Sequence, residues 1–224
     1  MFISNYGPGV SEPAREREEF CAHVRAWAER FGLSLPEALC RKLSEHYELL
    51  LRWNERINLT RIIEPEEAAR FHYVESLYVG ELLLPSVRRI ADVGSGGGFP
   101  GIPLAMARPD VEVVLIEKDR KRAVFLAEAV RRLGLENVEV VHKRFEAYDR
   151  RDFDVLLCRA LERMVERVPE LLAFAEGCRQ VLLLGGNDLE RAVARHVGSG
   201  WVWRSLPIPY AHQRRVLLLE RLAR

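Results

Sequence analysis

Hydrophobic positions recur three and four residues apart through the first third of the chain. Phe20, Val24, Trp27 and Phe31 share one helical face, and Gly32 closes that stretch. Ser34, Pro36 and Glu37 form a start signal for a second helix, which carries Leu39, Leu43, Tyr47, Leu50 and Leu51 to about Trp53. A third helix begins at Pro65, carries Ala68, Phe71, Val74, Leu77 and Tyr78, and fades near Leu84 and Pro85. The period then changes. Apolar runs of strand length occupy 88–94, 111–117, 137–145, 153–160 and 178–186, with helical stretches at 120–134, 162–176 and 187–197. Two final strands, 201–209 and 214–222, are joined by a short turn. Alternating strands and helices build a parallel sheet covered on both faces. Strands joined by a short turn pair antiparallel. The pattern predicts an α/β fold, with a helical region over 1–84 and a sheet domain over 85–224. The segment around Gly7, Pro8 and Gly9 reads as mobile.

Composition adds bounds. A chain of 224 residues, 48% hydrophobic, suits one domain with a smaller appendage. A formal net charge of +1 gives no global attraction to nucleic acid, so any such contact needs a local patch. No run of eighteen apolar residues occurs, and no basic segment leads into an apolar stretch at the N-terminus. These features predict a cytoplasmic protein without a membrane span or signal peptide. Cys21, Cys40, Cys158 and Cys178 are scattered without a C-x-x-C pair, which argues against a metal site and against disulfides. Arginine outnumbers lysine by thirty to four. Heat adaptation and codon bias explain that equally well, and neither bears on activity.

The chemistry concentrates at Ala91–Ala105 (ADVGSGGGFPGIPLA), where the first predicted strand ends. In an open α/β sheet, ligands bind beyond the carboxyl ends of the strands. Gly94, Gly96 and Gly98 let the backbone turn with positive φ and approach a ligand closely. Glu117 ends the second strand, where an acid typically holds a ribose hydroxyl pair. Two cofactors compete for such a site. A dinucleotide fingerprint needs glycine at the position of Phe99, and Pro100 and Pro103 remove amide donors that a pyrophosphate would use. S-adenosylmethionine has no pyrophosphate, and Asp92 before the glycines suits it better. The closing antiparallel strands match the seven-stranded, Rossmann-like S-adenosylmethionine methyltransferase sheet, mostly parallel with an antiparallel last strand. Here it carries an N-terminal helical extension.

The acceptor leaves a weaker trace. Methylating an adenine amine usually uses an [N/D]-P-P-[Y/F] motif after the fourth strand, and the sequence there is DVLLCRALE over 154–162. Methylating cytosine carbon-5 needs a cysteine nucleophile. Cys158 lacks the adjacent proline and reads as a small core residue. A ring nitrogen such as guanine N7 needs neither nucleophile nor base. The missing motif is compatible with that acceptor without establishing it.

Four segments resemble the RsmG (GidB) family of bacterial small-subunit (16S) ribosomal RNA guanine-N7 methyltransferases. They are Trp53–Thr60 (WNERINLT), His72–Leu77 (HYVESL), Ala91–Ala105 and the pair Arg159-Ala160, in matching order from about residue 40 onward. The resemblance implies methyl transfer from S-adenosylmethionine to N7 of one guanine. It also implies that Gly94, Ser95, Gly96 and Phe99 line the cofactor pocket. Glu117, Lys118 and Asp119 would meet the ribose and adenine, Phe145 and Glu146 would border the adenine, and Arg159 would reach the cofactor end of the fourth strand. Three departures stand out. Cys158 replaces a frequent serine, Leu182–Asn187 (LLLGGN) lacks a common lysine, and Glu75 replaces aspartate.

Asn54 and Asn58 share a helical face if the second helix continues, where they could position the base; otherwise they only end the helix. His72 is a further positioning candidate, or else a buried core histidine. No residue is required as an acid or base. Candidate RNA contacts are Arg61, Arg120, Lys121, Arg122, Lys143, Arg144, Arg214 and Arg215. The expected partner is small-subunit ribosomal RNA or the 30S particle, met by a monomer away from any membrane. The competing readings are a methyltransferase for another RNA base, a small molecule or a protein, a non-catalytic ribosome-assembly factor, and an NAD oxidoreductase.

Overall fold

Five short apolar runs become the parallel centre of a sheet in the computed structural model, which describes residues 12–222. The Gly7–Gly9 segment lies outside the described residues. The strands are β1 (Arg89–Val93), β2 (Glu112–Glu117), β3 (Val138–His142), β4 (Val155–Arg159), β5 (Gln180–Gly185), β6 (Trp201–Pro207) and β7 (Arg215–Arg221). Their order is β3-β2-β1-β4-β5-β7-β6. β1 to β5 run parallel, and β7 pairs antiparallel with both β5 and β6.

Alternation along each strand divides the core between the two faces. Ile90, Leu115, Val155, Leu157, Leu182 and Leu218 pack under the N-terminal helices together with α5 (Gly101–Ala107) and α6 (Arg120–Leu133). Ala91, Val93, Ile116, Leu156, Cys158 and Leu183 pack under α7 (Val168–Phe174) and α8 (Asn187–His196). Each of these buried leucine side chains contributes about 1.5–3 kcal/mol. The helical region comprises α1 (Glu12–Arg30), α2 (Glu37–Asn54), α3 (Pro65–Ala68) and α4 (Glu75–Glu81). Its Phe20, Leu43 and Tyr73 join one hydrophobic cluster with Phe99, Ile102 and Phe125 of the sheet domain. The boundary expected at 84/85 therefore falls in a connection, and one core runs through both sides of it.

Local chemistry sets the helix ends. Asp119 caps α6 by accepting the Arg122 N–H, and Gly134 closes it with φ 60°. Three expectations change. The third helix holds a π-helical stretch, Ala69–Val74, between α3 and α4. The helix expected over 162–176 starts only at Val168, with Pro169 in its first turn where a missing N–H costs nothing, and Ala160 and Arg163 before it take positive φ of 53° and 55°. α2 stops at Asn54, so Asn54 and Asn58 do not share a helical face. The Asn54 side chain ends it by accepting Leu59 N–H at 2.8 Å and Thr60 N–H at 3.0 Å.

Candidate active site

The glycine turn after β1 is built as its composition requires. Gly94, Gly96 and Gly98 take φ of 74°, 54° and 87°, a region that side chains disfavour. Glu117, buried at the end of β2, accepts Gly96 N–H at 2.9 Å and Asp119 N–H at 2.8 Å. Ser95 Oγ donates to Asp92 O at 2.8 Å. Asp92 is fully buried beneath the turn and accepts Gly101 N–H at 3.1 Å through Oδ2. Its Oδ1 has no partner, and burial raises the carboxyl to about 7. An orphaned buried acceptor beside a glycine turn fits a ligand with a donor group, such as an amine.

A cleft opens beside this turn between the ends of β1, β2 and β4. Gly94, Glu117, Lys118, Phe145 and Glu146 line it. Phe145 offers a flat apolar wall backed by Phe174 at 5.6 Å, and Arg167 lies over its ring at 4.7 Å. Arg167 also pairs with Glu146. Lys118 Nζ meets Glu162 Oε2 at 2.7 Å. Leu161 covers Gly94, so that a Cβ on Gly94 would stand 2.7 Å from Leu161 Cδ1. Ala160, Leu161, Glu162 and Arg167 are lining residues that sequence reasoning missed. The run RALERMVERVP reads as helix, and only Pro169 signals that it is a loop.

Five expected pocket residues do not line the cleft: Gly96 only donates its N–H to Glu117, and four others lie elsewhere. Ser95 is buried in the turn, and Asp119 is spent as the α6 cap. Phe99 turns away from the cleft into the helical layer. It stacks on His72 at 4.5 Å and 17° and meets Tyr73 edge-on at 5.0 Å. Arg159 is also buried on that side. Its Nη2 donates to His72 Nδ1 at 3.0 Å, and its Nη1 lies 3.9 Å from Glu75 Oε2. An arginine only donates, so His72 Nδ1 is the acceptor and Nε2 carries the proton toward Thr60 Oγ1, 2.8 Å away. Burial, with Arg159 and Arg214 nearby, pushes His72 down to about 2. The imidazole is therefore neutral with both nitrogens occupied. Asn58 is exposed near the rim, and its carbonyl accepts from Arg122 Nη2 at 3.4 Å. Cys158 is fully buried within β4.

The candidate RNA cations divide in two. Arg61, Arg120, Lys121, Arg122, Lys143 and Arg144 are exposed, and Arg122, Lys143 and Arg144 line the cleft. Arg214 and Arg215 are half-buried and paired with carboxylates instead. Arg214 Nη2 lies 2.8 Å from Glu75 Oε2, and Arg215 Nε lies 3.1 Å from Glu190 Oε2. A buried carboxylate needs cations, and Glu75 takes Arg214 for that purpose.

The family model described as "rRNA small subunit methyltransferase G" (GidB) matches residues 39–200. The chain is 40% identical over 177 residues to ribosomal RNA small subunit methyltransferase G of Sorangium cellulosum, covering 76% of this chain and 73% of that protein. It is 43% identical over 140 residues to the protein of that name from Nitrosospira multiformis, covering 61% and 63%. Among solved structures, cofactor-bound Rv0187 from MTB is similar with a TM-score of 0.59 at 19% identity, covering 79% of this chain and 89% of that one. A SAM-dependent methyltransferase from Aquifex aeolicus is similar with a TM-score of 0.55 at 15% identity, covering 69% and 93%. At such identities the solved structures speak for the fold alone.

Proposed function

The chain belongs to the rRNA small subunit methyltransferase G family and is an S-adenosylmethionine-dependent methyltransferase of small-subunit ribosomal RNA; we propose that its acceptor is N7 of a single guanine. S-adenosylmethionine supplies an electrophilic methyl group on a sulfonium. The N7 lone pair forms the new bond as the carbon–sulfur bond breaks, no proton leaves the base, and the product carries the positive charge.

The match to the small-subunit rRNA methyltransferase G family supports this acceptor above others. His72, which lies in the helical layer and not in the cleft, is held neutral with both nitrogens engaged by Thr60 and Arg159, so it supplies no base. An acceptor that needed deprotonation would call for a free base in the cleft. An acceptor that only needs placement does not.

In this reading Gly94, Gly96 and Glu117 hold the adenosyl group, with Glu117 meeting the ribose. Phe145 offers a face to the adenine, and the Asp92 carboxyl faces the methionyl amine. Lys118 and Glu162 meet across the cleft, so donor entry requires that pair to part and Leu161 to lift from Gly94. Asn54 acts through the 55–60 turn that it ties down, and His72 orders Arg159 and Phe99. Arg61, Arg120, Lys121, Arg122, Lys143 and Arg144 offer phosphate contacts at the rim. The partner is ribosomal RNA or the small-subunit particle, met by a monomer in the cytoplasm. Among the described residues no helix is long and apolar enough to cross a membrane.

The test is transfer of labelled methyl to bare small-subunit RNA, to assembly intermediates and to intact subunits from cells lacking this protein. Transfer to at least one is expected. Labelling of none, with a small molecule or protein labelled instead, would reject the reading.

A further inference from the structure

One buried charge cluster, centred on Glu75, stands apart from the donor cleft. Glu75 is wholly buried on the first turn of α4, directly after the π-helical stretch. Arg70, Arg159 and Arg214 act on it from the same helix, from the end of β4 and from the turn before β7. The geometry is poor for a purely stabilising ion pair. Arg214 Nη2 is close at 2.8 Å but off the line of a hydrogen bond, so both Glu75 oxygens and Arg159 Nη1 lack hydrogen-bond partners. Buried pairs of that quality seldom stabilise a fold on balance. What the cluster does is tie distant segments together.

Those segments border a second cavity. A space of about 520 Å³ lies at the carboxyl ends of β4 and β5, lined among others by Ala160, Gly185, Asn187, Asp188 and Gln213. Ala160 also lines the donor cleft, so that residue borders both spaces. Ala160 and Gln213 take φ of 53° and 57°. A left-handed backbone at alanine or glutamine persists only where the surroundings impose it. Ala160 directly follows Arg159, and Gln213 directly precedes Arg214. Each strained residue on the cavity wall thus sits beside an arginine drawn toward Glu75.

We propose that Glu75 is a positioning residue for the acceptor: through Arg159 and Arg214 it fixes Ala160 and Gln213, the strained walls of the cavity that receives the guanine. The proposal rests on the methyltransferase reading and assigns the acceptor's place within it.

The test compares wild type with Glu75→Gln, which keeps the volume and removes the charge, and Glu75→Asp, which restores the charge. Donor affinity is measured by calorimetry, and kcat and KM on small-subunit RNA well below the variants' melting temperatures. Glu75→Gln is expected to keep the donor Kd within about twofold while kcat/KM falls about 100-fold, the loss typical of a misplaced reacting group. Glu75→Asp is expected to recover part of that loss. An unchanged kcat/KM in Glu75→Gln, or a donor Kd that worsens in step with kcat/KM, would overturn the proposal. Should Glu75→Gln not fold, Arg214→Met gives the same decision, because its partly exposed site tolerates the change; kcat/KM must fall about tenfold at unchanged donor Kd. A wild type that binds donor yet methylates no RNA would remove the functional reading itself. An active wild type with an indifferent variant overturns only the role of Glu75.

Discussion

Replacing Glu117 by glutamine removes the charge that pins the glycine turn. The wild-type carboxylate is 3% exposed and receives two backbone N–H groups, Gly96 at 2.9 Å and Asp119 at 2.8 Å. Glutamine keeps the size and one acceptor oxygen, but its amide nitrogen must face one of those donors. A hydrogen bond to a charged group contributes about 1.5–3 kcal/mol and a neutral one about 0.5–1.5 kcal/mol. Losing one charged bond and weakening the other therefore costs roughly 2–4 kcal/mol. Part of the loss falls on the free protein. The rest returns as the work of re-forming the turn around the donor, and about 1.4 kcal/mol of it weakens binding tenfold. Calorimetric titration with S-adenosylmethionine, beside urea denaturation, separates the two parts. Glu117→Gln should raise the donor Kd at least about tenfold and lower the urea midpoint at unchanged slope. Glu117→Asp should fall between. A folded Glu117→Gln protein with wild-type donor affinity would refute the claim that this carboxylate shapes the cleft.

Further outcomes follow from other contacts. Gly94→Ala imposes φ 74° on a side chain and sets its Cβ 2.7 Å from Leu161 Cδ1; stability should drop by about 1–3 kcal/mol in urea unfolding and donor binding should weaken. Burial raises Asp92 from 3.8 to about 7, so its contribution to stability is complete below about pH 4 and is lost as the pH rises through about 7. Asp92→Asn keeps an acceptor for Gly101 N–H, so the stability of wild type relative to this variant should fall across that range and then level off, as urea midpoints would show. His72→Phe preserves an aromatic stack on Phe99 but strips partners from Arg159 and Thr60, and a loss of about 2–4 kcal/mol should appear in thermal unfolding. Because burial lowers His72 from 6.5 to about 2, wild type alone should pay for that imidazole as the pH falls below about 6.5, which narrows the gap to the variant. Lys143→Ala should weaken RNA binding and reduce its logarithmic salt slope by about 1, read from titrations at several ionic strengths.

Much of this architecture was legible because periodicity is a strong signal when a strand is buried on both faces. VEVVLIE and CRQVLLLGG are near-continuous apolar runs, and both became interior strands. The glycine turn was legible for a different reason, since only glycine takes its backbone angles without strain. Side-chain direction was not legible. Phe99 and Arg159 flank the cleft in sequence yet point into the helical layer, because His72 offers one a stacking face and the other an acceptor. Arg214 read as a surface cation until the buried Glu75 gave it a partner. The π-helical stretch at 69–74 escaped notice because one widened turn hardly alters a helical pattern. The 161–167 loop was missed because its composition favours helix, and the proline that marks the true helix start lies beyond its far end.

Nucleoside analysis of small-subunit RNA after incubation with the purified protein and isotopically labelled S-adenosylmethionine bears most directly on the central claim. One labelled nucleoside, 7-methylguanosine, is expected at a single site, with labelling strongly reduced in Glu117→Gln at donor concentrations near the wild-type Kd. Label in another nucleoside, or transfer undiminished by that substitution, would contradict that claim.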